Sequence, residues 1–192
     1  MTTFDATIGP RSTGFIGALN TRYHKAGLYV FMAIVVAHWA EHLAQAFQIY
    51  ALDYKIPAAR GVLGMAFPWL VTSEWMHYGY ALVMLVFLFA LRPGFTGRSR
   101  QWWNLALGLQ FWHHIEHLLL FAQVQFGWRL GAGPAPSSIV QFLIPRVELH
   151  LFYNTIVTIP MVIAMIVHRR ASQEEQSRMN CTCAKPRELV NA

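Results

Sequence analysis

The sequence predicts an all-α integral membrane protein, a four-helix bundle built from two similar helical hairpins. Three observations carry that expectation. The 192-residue chain is 55% hydrophobic and only 12% charged, where soluble domains carry about 25% charged residues. Four apolar stretches, at 27–50, 73–91, 103–126 and 146–168, each approach the ~20 residues that cross about 30 Å of hydrocarbon. A motif in the first stretch recurs in the third: HWAEHL at 38–43 and HHIEHL at 113–118.

Residues 1–26 are polar and carry Arg11, Arg22 and Lys25. They lack the apolar core of a cleaved signal peptide, so the span at 27–50 directs insertion. The connection that follows contains GVLGMAFPWL, which reads as an interfacial or re-entrant segment. The second span, 73–91, ends at RPGFTGRSR. There Pro93, Gly94 and Gly97 break the helix, while Arg92, Arg98 and Arg100 resist translocation. That connection is expected in the cytoplasm.

The third span, 103–126, leads to a second outer connection, GAGPAPSSIVQFLIP, also read as interfacial or re-entrant. The fourth span, 146–168, is followed by Arg169 and Arg170. The membrane domain is then 27–168, with both termini cytoplasmic, in the plasma membrane if the source is prokaryotic. The charged, aromatic-poor stretch 169–192 predicts a flexible tail, in which Cys181 and Cys183 read as inert. The net charge of +6 comes from basic residues flanking the spans, as topology signals require, and forms no nucleic-acid-binding face.

The repeat extends beyond its first motif. From His38 to His113 is 75 residues, and EWMHYGY and ELHLFYN open the second and fourth spans, pairing His77 with His150 and Tyr80 with Tyr153. Because the first and third spans run the same way, the two hairpins are related by a rough axis along the membrane normal.

At ~100° per residue, His38, Glu41 and His42 share one arc of the first helix, and His113, Glu116 and His117 share one arc of the third. Glu74 and His77 have the Glu-x-x-His spacing that presents two ligands inward in carboxylate-bridged metal bundles. Unpaired charge within a span costs roughly 2.5–3.5 kcal/mol or more, and a bound cation offsets it. The expected metal ligands are therefore His38, Glu41, His42, Glu74, His77, His113, Glu116, His117 and His150. His114, Glu148, Tyr80, Tyr153 and Asn154 are expected beside the metal or in supporting roles. His24 and His168 flank the spans far from this group and read as solvated.

Mixed imidazole and carboxylate ligation suits non-haem iron, manganese or zinc, and the donor number favours two ions. The expected function is that of a membrane-bound, metal-dependent oxidoreductase. Two non-haem irons in the outer half of the bilayer would hydroxylate or desaturate a membrane lipid or lipophilic small molecule, using an electron donor. The alternatives are a b-type haem electron-transfer protein, with haem held between histidine pairs, and a zinc-dependent membrane hydrolase.

Overall fold

A computed structural model describes residues 14–133 and 135–183. Arg11 and the last nine residues of the expected tail lie outside them. Among the described residues the fold is all-helical. In chain order the helices are α1 (Phe15–Asn20), α2 (His24–Tyr50), α3 (Leu63–Ala66), α4 (Trp69–Thr72), α5 (Glu74–Leu91), α6 (Gly97–Phe126), α7 (Arg146–Arg169) and α8 (Gln173–Ser177). Single 3-10 turns lie at Ile56–Ala58, Arg92–Gly94 and Val140–Phe142.

Among the described residues, three helices are long and apolar enough to cross a membrane: His24–Tyr50, the stretch Glu74–Gly94, and Arg146–Arg169. The expected span at 103–126 is not among them. Helix α6 has the length, at 30 residues, but Gln110, His113, His114, Glu116, His117 and Gln123 lower its hydropathy, and all six are buried. The exposed face of the same helix carries Leu105, Phe111, Trp112, Leu118, Val124 and Phe126. Between Leu105 and Val124 the exposed positions of the helix are apolar or glycine while these six polar residues are buried, the reverse of a helix on a water-soluble protein.

Local signals set the ends of the long helices. Gly127 terminates α6 with φ of 70°, its N–H bonding to the Gln123 carbonyl at 3.0 Å, the left-handed cap that glycine favours. Pro145 precedes α7, where its missing N–H costs nothing. Between α5 and α6 the Pro93 turn is short, so α6 begins at Gly97, six residues before the expected span, and Arg98 and Arg100 lie in its first turns.

Helix α6 packs chiefly against α7 and α5, and α2 packs against α7 and α5. Along these four helices the interior falls into two layers. One is an apolar core of Leu28, Phe31 and Val35 with Met84, Leu88, Trp103, Val157 and Met161. The Trp103 indole N–H donates to the Leu88 carbonyl at 2.7 Å, satisfying the one polar atom of a fully buried ring. The other layer holds His38, His42, His77, His113, His117 and His150, roughly two turns further along every helix.

From Ala171 to Cys183 the chain folds back rather than trailing away. Ser172 and Glu175 form a reciprocal capping box that starts α8, which satisfies two helix-end donors at once. The Thr182 N–H then donates to the Thr21 carbonyl at 2.9 Å, and the Lys25 N–H donates to Thr182 Oγ1 at 3.2 Å. These two bonds hold Thr182 against the turn before α2 and its first residues.

Candidate metal centre

The six histidines of the polar layer arrive in two matching sets. On α2 the rings of His38 and His42 meet edge-on with centroids 4.4 Å apart; on α6 His113 and His117 meet likewise at 4.6 Å. His38 stacks on Tyr80 at 3.6 Å, and His113 lies against Tyr153 at 4.3 Å. Each pair is one helical turn apart, so both rings of a pair face the same side.

The third member of each set is oriented by backbone. His77 Nδ1 lies 3.0 Å from the Ser73 carbonyl, and His150 Nδ1 lies 2.6 Å from the Arg146 carbonyl. A carbonyl only accepts, so Nδ1 carries the proton and Nε2 presents a lone pair. That is the tautomer in which a metal-binding imidazole is commonly held. His150 Nε2 is buried and has no hydrogen-bond partner among the described residues.

The two sets touch. His42 stacks against His150 at 5.0 Å, and the matching pair, His117 and His77, is nearly parallel at 6.2 Å. His117 and His150 are 5.3 Å apart, and His77 and His150 are 5.9 Å apart. His38 and His42 also bring their Nε2 atoms within 3.0 Å. The six rings form one contiguous group, packed directly on one another.

The glutamates do not join it. Both oxygens of Glu41 accept from the Leu63 N–H, at 3.0 and 3.1 Å. Glu116 accepts from the N–H groups of Ile139 and Val140 at 3.2–3.3 Å. Glu74 pairs with Arg146 at 2.7 Å, and Glu148 accepts from the Tyr50 hydroxyl. The expected mixed set of ligands thus separates into clustered imidazoles and carboxylates bound elsewhere. The physical reason is that the start of each loop helix offers unsatisfied N–H groups, and an anion beside them is stabilised without a metal.

The supporting residues divide as well. Tyr80 and Tyr153 lie on histidines of the cluster, whereas His114 faces Tyr78 at 5.2 Å, away from it. Asn154 keeps a buried, unpartnered Nδ2. Two residues absent from the expected site prove structural. Gln48 grips Gly61 through both its amide groups, at 2.9 and 3.1 Å, and Gln123 grips Ser137 in the same way, at 2.9 and 3.3 Å. They too are 75 residues apart, a signal that the repeat itself offered.

No family model, no curated protein and no solved structure matches this chain. The site is therefore read from its own geometry.

The two sets differ in access. Beside His38, His42 and His77 lies a cavity of about 360 Å³, bordered by Ile34, Leu63, Leu70, Val71 and Met76. Beside His113, His117 and His150 the corresponding space is about 10 Å³.

A second cluster lies at the other end of the long helices. Among the described residues, the group whose candidate ligand atoms all lie within 4.8 Å of one another is His24, His168 and Cys183. His24 and His168, expected to be solvated, are 0% and 1% exposed, because the returning tail covers them.

Proposed function

We propose that this chain is a membrane metalloprotein whose six clustered histidines hold two metal ions, three from each of two helical hairpins. Bound there, the metals would supply redox chemistry for hydroxylation or desaturation of a lipophilic substrate in the cleft beside His38 and His77, with dioxygen as the oxidant, reduced to water, and a separate electron donor. In this reading α2–α5 and α6–α7 are the hairpins, and α6 is the fourth span, its polar residues turned inward and its apolar face toward lipid. The loops 51–73 and 127–145 then cap the bundle at the histidine end.

One observation carries the reading. Six imidazoles, three from each hairpin, pack as one group, although no three of them among the described residues bring ligand atoms within 4.8 Å of one another, so metal binding would draw the rings together; His77 and His150 have Nδ1–H fixed by a backbone carbonyl. Imidazole-only ligation suits copper, zinc, iron and nickel, and affinity for divalent ions peaks at copper. A haem has less support, since the rings pack on one another and leave no slot for a macrocycle between them. The cleft supports a substrate with an apolar body, since Ile34, Leu63, Leu70, Val71 and Met76 border it, together with Glu41, Gln45 and Arg60, a mixture that small-molecule sites commonly show.

The test is the metal-to-protein ratio and optical spectrum of full-length protein in mild detergent, with Cys181→Ser/Cys183→Ser as background. About two equivalents are expected, falling to about one in His42→Ala or His117→Ala and to none in the double variant. A Soret band would replace this reading with haem. A folded protein that takes up no copper, iron or zinc would end it in favour of a histidine proton relay, for which the His38–His42 hydrogen bond is the available contact.

A further inference from the structure

The end of the fold opposite the six histidines brings together four residues that sequence order keeps far apart. His24 opens α2, His168 lies in the last turn of α7, and Cys181 and Cys183 follow on the returning tail. From His24 to His38 is 14 residues of α2, roughly 21 Å, so this group is separate from the histidine layer.

Its geometry is that of a ligand set. Nitrogens of His24 and His168 and the sulfur of Cys183 lie within 4.8 Å of one another, and Cys181 Sγ is 3.3 Å from His168 Nε2. Both ring nitrogens of His24, and Nδ1 of His168, are buried without a hydrogen-bond partner among the described residues. Buried polar nitrogens are rarely left so. The fold makes room for the His24 imidazole, since a side chain on Gly94 would collide with it. The Gly94 backbone is in turn held by Asn20 Oδ1 at 2.8 Å.

We propose that His24, His168, Cys181 and Cys183 form a structural zinc site that fastens the tail across the ends of α2 and α7. Two imidazoles and two thiolates give zinc its preferred tetrahedral set with no open position. Zn²⁺ with two thiolates carries no net charge, which suits a site whose histidines are almost wholly buried. Binding releases the two thiol protons to solvent. The site is independent of the six-histidine centre, and either can fail without the other.

The experiment uses full-length protein in detergent, stripped and reloaded with zinc or cobalt alone. Cobalt is expected to give a thiolate-to-metal charge-transfer band, abolished in Cys181→Ser and in Cys183→Ser but retained in His42→Ala. Each serine variant should bind one zinc equivalent fewer than wild type. Should these variants aggregate, maleimide labelling of wild type reports the same thing: zinc should shield both cysteines and chelation should expose them. A cobalt spectrum without the thiolate band, or equal labelling with and without zinc, would overturn the site whatever the histidine centre binds.

Discussion

Glu41 and Glu116 each lie one residue before the second histidine of a repeated motif, and each holds the backbone of a loop beside the histidines of its own set. Glu41 takes the Leu63 N–H and Glu116 those of Ile139 and Val140. The repeat has conserved within one chain a device for closing the histidine end of the fold.

Glu41→Gln and Glu116→Gln should therefore weaken the fold and leave metal content unchanged. Hydrogen bonds to a charged group contribute about 1.5–3 kcal/mol, and a glutamine keeps only part of this. The effect should be larger at Glu116, which is 2% exposed. Unfolding in detergent and metal analysis of the same samples check both halves of the prediction. A loss of metal at unchanged stability would return the carboxylates to the ligand set.

The pair Arg146–Glu74 ties α7 to the start of α5, and its Glu74 side chain is mostly buried. Arg146→Ala leaves that carboxylate without its partner, so it should destabilise by more than the double variant's increment over Glu74→Gln. A double-mutant cycle should give a coupling of about 0.5–3 kcal/mol. Additive effects would show the pair to be a passive contact.

Trp103, fully buried between Phe31 and Phe95, anchors the apolar layer. Trp103→Ala should cost about 3–5 kcal/mol. Trp103→Phe keeps most of the volume and loses the bond to Leu88, so it should cost far less. Thermal unfolding in detergent separates the two, and equal losses would point to the hydrogen bond as the dominant contribution.

Orientation is testable with single cysteines at positions 96 and 133 in the Cys181→Ser/Cys183→Ser background. The arginines around Arg92–Arg100 predict that position 96 is cytoplasmic and position 133 external. Intact cells should then label the second and spare the first. Labelling at 96 from outside would invert the topology and move the histidine layer to the cytoplasmic half.

Periodicity made the long helices legible, since helix ends at 50, 91 and 126 coincide with the ends of apolar runs. The repeat made the histidine layer legible, because equivalent residues lie at equal depth. The glutamates were not, and angle explains it. Glu41 stands about 60° to one side of His38 and His42 about 40° to the other, so one arc spans both the interior and the loop above it. Loop amides have no periodicity to announce them. The zinc site was hidden by distance in sequence, although one clue was present: His24, His168 and the cysteines all lie beyond or at the same ends of their spans. A control that replaced His24 or His168, on the assumption that they are solvated, would disturb a second cluster instead.

The unequal spaces beside the two histidine sets break the likeness of the two hairpins. With about 360 Å³ beside one set and about 10 Å³ beside the other, the α2–α5 side has room for a small molecule next to imidazole and the α6–α7 side does not. Leu120, Gln141 and Leu149 occupy the matching flank, so two halves built to one pattern give the same side chains unlike surroundings.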